Sequence, residues 1–334
     1  MRVLVTGATS LLGRATVIAL IGAGHDVRTF QRHQGSDGAD FVAGDIRDVA
    51  ATRHAAEGMD TVIHLAAKVG VTGDWADYEE INVKGTANVL TSAKQAGVSK
   101  FVYVSSPSVA HAGASLVGVG AGTANPDRAR GNYSRSKALA ERLALQAVSD
   151  RFAVVAIRPH LVWGPGDTQL VGRIVNRASQ GRLATIGTGA ALIDTTYVDN
   201  AADALIAAAF RCSDLTGRAF VVTNGEPRTV AEIVTRITRA AGQDPPKFSV
   251  PAPVARAGGS LAKGLWRVTK RAGDPPMTSF VAEQLSTAHW FDQRETRAAL
   301  GWSPVVSLDE GFNRLESYFR GAEPSIHESP NATG

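Results

Sequence analysis

Short apolar runs alternate with amphipathic segments along the first half of the chain. The runs have the length and composition of buried β-strands, and they are Val3–Thr6, Asp26–Phe30, Phe41–Ala43, Thr61–Leu65, Phe101–Ser105 and Phe152–Ile157. The segments between them carry apolar residues at helical spacing, and they are Gly13–Ala23, Val49–Gly58, Glu79–Ala96 and Tyr133–Ser149. Strands that alternate with helices in this way predict βαβ units with right-handed crossovers, and hence a parallel sheet.

The pattern becomes less regular after about residue 160. Gly164-Pro165-Gly166 opens a proline-rich region in which one further strand is predicted at Ala219–Val222. We therefore expect an α/β fold, a Rossmann-type doubly wound parallel sheet with a smaller, irregular C-terminal substrate lobe. The expected boundaries are 1–160 for the dinucleotide-binding domain, with segments near 193–222 returning to it, 161–320 for the lobe, and 321–334 for a disordered tail.

Composition narrows the possible partners. Of the 334 residues, 44% are hydrophobic and 20% are charged, as in an ordinary globular protein. The formal net charge of +4 comes from basic residues spread along the chain, which disfavours a nucleic-acid partner. Cys212 is the one cysteine, so we expect a buried thiol, no internal disulfide and no metal. No apolar stretch reaches the roughly 18 residues of a transmembrane segment and no signal segment is recognisable, so a cytoplasmic location is expected.

The turn after the first strand carries a signal for nucleotide binding. Glycines there allow a tight turn and a close approach of the backbone to a pyrophosphate, and the helix that follows offers free N–H groups and the positive end of its dipole. Contacts with a dinucleotide are therefore predicted from Gly7, Thr9, Ser10, Leu11, Leu12 and Gly13.

The end of the second strand predicts which dinucleotide is bound. An acidic side chain at this position binds the 2′-hydroxyl of NAD, whereas a nearby arginine accommodates the 2′-phosphate of NADP. Gln31 stands where that acid would be, and Arg32 follows it with a planar guanidinium that is able to bind a phosphate. NADP is therefore the expected cofactor, with NAD as the alternative.

Tyr133 and Lys137 form the second chemical signal. They are four residues apart, so both lie on one face of the predicted helix. A tyrosine has a pKa of about 10, and a nearby ammonium and the positive nicotinamide ring lower that pKa because they favour the phenolate. Tyr133 is then able to give a proton to a carbonyl oxygen or take one from an alcohol, while Lys137 holds the nicotinamide ribose. The same spacing also occurs on ordinary solvated helix faces.

In their order and intervals, these segments resemble the extended short-chain dehydrogenase/reductase family. The matching segments are Thr6–Gly13, Gly44–Ile46, Asp60–Ala67, Asn82–Thr86, Tyr133–Lys137, Arg158–Gly166, Asp194–Asn200, Leu300–Pro304 and Val306–Gly311. Ser10 replaces the middle glycine of the family's Thr-Gly-x-x-Gly-x-x-Gly turn, and its hydroxyl is a candidate donor to a phosphate oxygen.

The resemblance implies roles for further residues. Ser106 takes the place of the family's catalytic serine, a hydrogen-bond donor to the reacting oxygen, with Ser105 and Ser108 as alternatives. His64 is expected to be structural, and the polar residues of Asp194–Asn200 are expected to brace the lobe. Cofactor contacts are implied for Asp45, Ile46, Leu65, Ala66, Ala67, Asn82, Val104, Tyr133, Lys137, Pro159, Leu161 and Val162.

Within this family the chain looks most like the 3β-hydroxysteroid dehydrogenase-like branch, and two of its segments, Ser105–His111 and Arg158–Asp167, look most like the bacterial oxoacid reductases of that branch. That branch includes sterol dehydrogenases and bacterial reductases of 2-alkyl-3-oxoalkanoic acids. Nucleotide-sugar epimerases and dehydratases usually carry an asparagine at the place of Leu161 and an arginine near that of Ile193. A diphosphate facing these apolar residues would lose its polar partners, so a lipophilic small-molecule substrate is expected.

The segment Ala252–Ala272 mixes apolar and basic side chains. Such a segment lies at a membrane surface, or covers an apolar pocket and meets an acidic head group; a core-facing helix with a solvated basic side fits equally well. Peripheral membrane contact is therefore one expectation. The family resemblance also implies a homodimer, with an interface formed by the predicted helices Glu79–Ala96 and Tyr133–Ser149.

The sequence thus predicts an NADP-dependent oxidoreductase that interconverts a ketone and a secondary alcohol on a bulky lipophilic molecule. A 3-oxo acid and a 3β-hydroxysteroid are the two versions of that substrate, and the former is slightly favoured. Two alternatives stay open: a nucleotide-sugar epimerase or dehydratase, and a non-catalytic NADP(H)-binding redox sensor. A sensor would be expected to have lost Tyr133 or Lys137, and this chain has both.

Overall fold

The computed structural model describes residues 1–35, 38–70, 72–110, 115–255, 257–258, 283 and 285–321. In chain order its strands are β1 (Arg2–Thr6), β2 (Asp26–Gln31), β3 (Asp40–Ala43), β4 (Thr61–His64), β5 (Lys100–Val104), β6 (Leu116–Val119), β7 (Ala153–Pro159), β8 (Val162–Trp163), β9 (Thr185–Ile186), β10 (Leu192–Ile193), β11 (Thr196–Tyr197), β12 (Ala219–Val222), β13 (Arg228–Thr229), β14 (Ser249–Val250) and β15 (His289–Phe291).

Helices connect these strands. The α-helices of the described ranges are α1 (Leu11–Gly22), α2 (Val49–Ala56), α3 (Trp75–Tyr78), α4 (Gly85–Gln95), α5 (Asn132–Gln146), α6 (Val171–Ser179), α7 (Val198–Arg211), α8 (Val230–Ala240), α9 (Arg294–Leu300) and α10 (Leu308–Phe319). A π-helical segment, Glu79–Lys84, joins α3 to α4, and a 3₁₀ turn lies at Pro107–Val109.

Seven parallel strands form the main sheet, in the order β12-β7-β5-β4-β1-β2-β3. The chain winds in one direction from β1 to β3 and in the other from β4 onwards, so the order reverses between β1 and β4. This reversal is the topological switch point of a Rossmann fold, where ligands bind beyond the carboxyl ends of the strands. The predicted fold class is confirmed, and β12 joins the sheet at its far edge.

Helices cover both faces of the sheet because its strands are apolar on both sides. One face packs under α1 and α7, around Val5, Leu20 and Leu205. The opposite face packs under α2, α4 and α5, around Phe101 and Val154. Cys212 is fully buried on the first of these faces, as predicted, and burial raises the pKa of its thiol to about 11.

The later part of the chain builds a second core beside the sheet. A four-stranded sheet in the order β13-β10-β15-β6 lies there with α6, α8 and α10. Trp163 is fully buried in this core, with its ring stacked on Phe312 at a centroid distance of 4.6 Å. Its indole N–H donates to Thr195 Oγ1 over 2.9 Å. Across the ranges that the structure describes, no helix combines the length and hydropathy needed to cross a bilayer.

Two of the segments for which the sequence made predictions lie outside the described residues. The tail from residue 322 onwards is one of them, and most of the basic segment, residues 259–272, is the other. A third prediction was incomplete: the helix predicted at Glu79–Ala96 begins four residues earlier, at Trp75, and has a π-helical segment within it.

Asn200 braces the segment between α9 and α10 against the main chain of the second core. Its amide donates to Asn224 Oδ1 over 3.0 Å and to the Val306 carbonyl over 2.7 Å. Its carbonyl accepts from the N–H groups of Val305 and Val306, both at 3.0 Å. This confirms the bracing role predicted for the Asp194–Asn200 segment.

We expect Asn200→Ala to lower the free energy of unfolding by about 2–4 kcal/mol, because buried backbone groups would lose their partners. Urea denaturation measures the loss. Asn176→Ala is the matched control, since Asn176 is exposed on α6 and its side chain bonds only Gln180 among the described residues; its cost should stay below about 0.5 kcal/mol. Equal losses for both variants would contradict the bracing role.

Candidate active site

The predicted site residues gather at one edge of the main sheet. The strands are parallel, so the residues that follow β1, β4, β5 and β7 emerge side by side at their carboxyl ends. The glycine turn, Leu65–Ala67, Ser105–Ser106 and Pro159–Val162 all lie there. Helix α5 brings Tyr133 and Lys137 to the same edge by packing beside β7 and the 3₁₀ turn.

The glycine turn is shaped by backbone packing. Gly7 has φ +75°, and a Cβ added to it would lie 2.8 Å from the Cα and N of Ala66. A Cβ on Gly13 would lie 2.4 Å from the Gly7 carbonyl oxygen. Only glycine at both positions allows β1, the end of β4 and the first turn of α1 to meet this closely.

Ser10 caps α1 instead of extending its hydroxyl into the cleft. Its Oγ accepts from the Gly13 N–H over 3.1 Å, and its own proton goes to the Gly7 carbonyl over 2.9 Å. The predicted donation from Ser10 to a phosphate is therefore replaced by an N-cap. The N–H groups of Leu11 and Leu12, in the first helical turn, have no acceptor among the described residues, as expected at a helix N-terminus.

These features fit a bound dinucleotide. Thr9 and Ser10 are exposed and Leu11 and Leu12 partly exposed, so the open amides at the start of α1 are accessible to a pyrophosphate. The Gln31 side chain, at the end of β2, is only 7% exposed, and neither amide atom has a partner in the described part of the chain. Arg32 is exposed beside it.

Asp45 is held by a neighbouring residue. Its carboxylate accepts from Arg47 Nη2 over 2.8 Å and from Arg47 Nε over 3.0 Å. These bonds lower the pKa of Asp45, and the positive charge of Arg32 lowers it further. Ile46 is buried under Gly85, where a Cβ would come within 2.6 Å of its side chain. Asp45 is therefore within electrostatic reach of Arg32, whereas Ile46 packs against the start of α4.

His64 is structural, as predicted, and its hydrogen bonds fix its tautomer. Thr86 gives its one hydroxyl proton to the Asn82 carbonyl over 2.6 Å, so its oxygen accepts from His64 Nε2–H at 3.0 Å. His64 Nδ1 then accepts from Thr6 Oγ1 at 2.7 Å, and that oxygen accepts from the Ala66 N–H. Burial, aided by the charge of Lys137, lowers the pKa of His64 to about 3 and keeps the ring neutral.

Asn82 is placed behind the site. It is 1% exposed and lies in the π-helical segment, a feature frequent at functional sites. Its amide donates to the Lys68 carbonyl over 3.0 Å and to Ser136 Oγ over 2.9 Å, while its oxygen accepts from Lys68 N–H over 2.6 Å. These bonds tie the loop after β4 to α5, and the contact of Asn82 with the cofactor stays a prediction.

Tyr133 lies in the first turn of α5, which begins after Gly131 at φ +87°. Its ring is half-buried, and burial raises the pKa of the phenol to about 12, an effect that hydrogen bonding with Ser106 opposes. Among the three candidate serines, Ser106 is therefore the one that interacts with Tyr133. Ser108 Oγ lies 3.0 Å from Ser106 Oγ, and Ser105 Oγ is buried without a partner among the described residues.

Lys137 is only 3% exposed. Its Nζ donates to the Val104 carbonyl over 2.6 Å and lies 4.3 Å from the centroid of the Tyr103 ring. Burial lowers the pKa of Lys137 to about 7, and the charge of Glu141 opposes that shift. The bond to Val104 fixes the ammonium at the carboxyl end of β5, on the same helix face as Tyr133.

Comparison with known proteins decides the family. The sequence profile of the 3-beta hydroxysteroid dehydrogenase/isomerase family matches residues 4–252. The chain belongs to this family. It is therefore an NAD(P)-dependent oxidoreductase that acts on CH–OH groups, as the sequence predicted.

Relatives of this 3β-hydroxysteroid dehydrogenase family member span almost its whole length. A 2-alkyl-3-oxoalkanoate reductase of Stenotrophomonas maltophilia is 38% identical over 329 residues, 95% of this chain and 99% of the relative. A 3 beta-hydroxysteroid dehydrogenase/Delta 5-->4-isomerase of Mycobacterium tuberculosis is 31% identical, over 95% of this chain and 90% of the relative. The solved structure of MoeE5 in complex with UDP-glucose and NAD superposes with a TM-score of 0.74 at 26% identity, over 96% and 99% of the two chains.

The two apolar residues that argued against a nucleotide-sugar substrate differ in position. Leu161 follows β7 with its side chain 39% exposed, and at φ +43° it is the one described residue other than glycine in the left-handed region. Ile193 is instead 4% exposed in the second core, beside Trp163 and Tyr197. The sequence argument from Ile193 was therefore wrong: that side chain belongs to the core.

Sequence reasoning gave no role to two charged residues of this family member. Glu141 on α5 and Arg158 on β7 are each 1% exposed and form an ion pair beneath Lys137. The sequence did contain a signal for this ion pair, because both charges stand at positions that the hydrophobic pattern predicts to be buried. Glu141 is one helical turn after Lys137, and Arg158 directly follows the apolar strand that ends at Ile157.

Proposed function

We propose that this enzyme is an NADP-dependent ketone reductase or secondary-alcohol dehydrogenase for a bulky lipophilic substrate. The observation that carries the proposal is the meeting of Tyr133, Lys137 and Ser106 at the sheet edge that also holds the glycine turn. A proton donor, a cation that controls it and a hydroxyl that binds oxygen are what carbonyl reduction requires of a protein.

The chemistry of the protein side follows from these positions. The bound nicotinamide would exchange a hydride with the substrate carbon. Because burial favours the neutral phenol, Tyr133 is set to donate its proton to a carbonyl oxygen, and Ser106 to hold that oxygen by a hydrogen bond. In the reverse direction the positive charge of Lys137 stabilises the phenolate that accepts the proton.

Leu161 supports a lipophilic substrate. A leucine in the left-handed region costs roughly 1–2 kcal/mol of backbone strain, which glycine would avoid and asparagine would reduce. Its apolar side chain is also partly exposed at the carboxyl end of β7, where a substrate would lie. Strain retained beside a reaction site is consistent with a functional contact. The names of the relatives, a 2-alkyl-3-oxoalkanoate reductase and a 3 beta-hydroxysteroid dehydrogenase, favour an oxo acid first and a steroid second.

Arg32 supports NADP. It is exposed and has no ion-pair or hydrogen-bond partner in the part of the chain that the structure describes. It follows Gln31, which has no negative charge to repel a phosphate. A free guanidinium beside an uncharged strand end suits a 2′-phosphate better than a 2′-hydroxyl.

Tyr133→Phe should abolish turnover of long-chain 3-oxo acids and of 3β-hydroxysteroids, because it removes the proton that is transferred. NADPH binding, followed by the cofactor's fluorescence, should stay within about threefold of wild type since the ring is kept. Unchanged turnover would sink the mechanism. If the wild-type protein binds NADPH tightly but turns over no compound in a broad ketone panel, the redox-sensor alternative replaces it.

Arg32→Ala should weaken NADPH binding by roughly 10- to 100-fold and leave NADH binding nearly unchanged, because charge-assisted hydrogen bonds to a phosphate are lost. Calorimetric titration with both cofactors gives the ratio. Arg142→Ala removes the same charge from an exposed position on α5 and serves as the control. An NADPH-to-NADH ratio that moves equally in both variants would rule out a specific phosphate contact.

Leu161→Asn should relieve backbone strain while removing an apolar contact. We expect kcat/KM for a long-chain 2-alkyl-3-oxo acid to fall about tenfold relative to 3-oxobutanoate, with unchanged or higher stability. Leu143→Asn, at an exposed position on α5, is the control. If the ratio of the two kcat/KM values stays at its wild-type level, Leu161 does not contact the acyl chain.

A further inference from the structure

Beneath the catalytic pair lies a fully buried ion pair. Glu141 Oε1 and Oε2 accept from Arg158 Nη2 over 2.5 Å and from Arg158 Nε over 2.8 Å, and both side chains are 1% exposed. Removing two charges from water is expensive, and apolar residues of similar volume often stabilise a protein equally well. Stability alone therefore does not explain why this pair occupies the interior.

Further hydrogen bonds hold the ion pair in place. The remaining nitrogen of Arg158, Nη1, donates to the carbonyls of Ala121 and Gly122. Arg158 is also part of β7, and Glu141 is in the middle of α5. Both carboxylate oxygens of Glu141 are thereby fixed by one arginine, whose own position is fixed by a strand and a loop.

Glu141 lies one helical turn after Lys137, and its negative charge acts on the Lys137 ammonium. The two residues are four apart on α5, so their side chains are neighbours on one helix face. Lys137 Nζ has one hydrogen-bond acceptor among the described residues, the Val104 carbonyl, and it is cut off from water. A buried ammonium with one neutral acceptor is poorly stabilised unless an anion lies nearby.

The other titratable groups around Lys137 supply no such anion. His64 on β4 is kept neutral by burial, which lowers the pKa of its ring to about 3. Tyr103 on β5 and Tyr133 on α5 are phenols whose pKa values burial raises. Arg158 on β7 is positive, and it is paired with Glu141. Of these groups, Glu141 is the one with a negative charge at neutral pH.

We propose that Glu141, anchored by Arg158, is a positioning residue that keeps Lys137 protonated. The proposal rests on the proposed function, in which the charge of Lys137 stabilises the Tyr133 phenolate. A neutral Lys137 would still bond to Val104, but it would no longer favour the phenolate. Alcohol oxidation therefore depends on Glu141 although that residue does not touch the substrate.

The first test measures Lys137 itself, without cofactor or turnover. ¹³C-labelled lysine gives an NMR signal for each Cε, and Lys137→Met identifies the signal of Lys137. In Glu141→Gln we expect the titration midpoint of that signal to move down by at least about one pH unit, since an opposite charge nearby shifts a pKa by this much. Glu80→Gln removes an exposed charge that pairs with Lys84, and should leave the midpoint unchanged.

A second variant keeps the test valid if Glu141→Gln folds poorly because Arg158 is left buried without a partner. Glu141→Met/Arg158→Met removes both charges, keeps the side-chain length at position 141 and keeps an unbranched apolar side chain at position 158. A purely structural pair predicts a wild-type midpoint in this variant, whereas an electrostatic role predicts the lowered one. Glu141→Asp, which retains the charge, should restore the midpoint at least partly.

Kinetics separate this proposal from the proposed function. In Glu141→Gln the kcat of alcohol oxidation should fall at least tenfold at pH 7, with a smaller change in KM, and its pH profile should shift. A wild-type midpoint for Lys137 in both Glu141→Gln and Glu141→Met/Arg158→Met would overturn the proposal and leave the role of Tyr133 intact. If instead the Lys137 midpoint falls in Glu141→Gln but Tyr133→Phe turns over substrate like the wild type, the proposed function is wrong and the effect of Glu141 on Lys137 stands.

Discussion

At Gly7 the backbone of one parallel strand touches the backbone that leaves the next, with no side chain between them. The space there is so limited that a single Cβ would come within 2.8 Å of Ala66. This contact sets where α1 begins, because Gly13 must in turn fit over the Gly7 carbonyl. It also brings the Ala66 N–H to Thr6, the first of the hydrogen bonds that run through His64 to Asn82. The nucleotide turn and the support of α5 are therefore parts of one packed unit.

Burial shifts the pKa values of Tyr133 and Lys137, the two side chains proposed to be catalytic, in opposite directions. It favours the neutral phenol of Tyr133 and the neutral amine of Lys137. One neighbour opposes burial at each residue: hydrogen bonding with Ser106 opposes the rise in the pKa of Tyr133, and the charge of Glu141 opposes the fall in the pKa of Lys137. The sheet edge thus places a few fixed charges, those of Lys137, Glu141 and Arg158, in an interior from which water is excluded, where each charge acts strongly on its neighbours.

The sequence revealed what depends on local spacing. Short apolar runs predicted the strands of the main sheet, helical spacing predicted its helices, and the four-residue interval of Tyr133 and Lys137 predicted their common face. Partners drawn from distant elements were not predictable in this way. Arg158 and Glu141 are 17 residues apart and meet only through the packing of α5 on β7. The prediction that Ser10 donates to a phosphate came from its position in the family's turn, whereas in the structure its Oγ donates to the Gly7 carbonyl over 2.9 Å.

The π-helical segment Glu79–Lys84 changes which side of the chain faces α5 in α3 and in α4. One extra residue in a turn rotates everything beyond it by about 100° relative to an unbroken α-helix. The face of α3 that carries Trp75 against Arg135 is thereby out of phase with the face of α4 that packs on α2. The helical chain is continuous from Trp75 to Gln95, and the π-helical segment that contains Asn82 lies between α3 and α4. Deleting one residue of the π-helical segment would give one continuous α-helix and would turn Trp75 away from Arg135 on α5. The packing of α3 on α5 therefore depends on the π-helical segment.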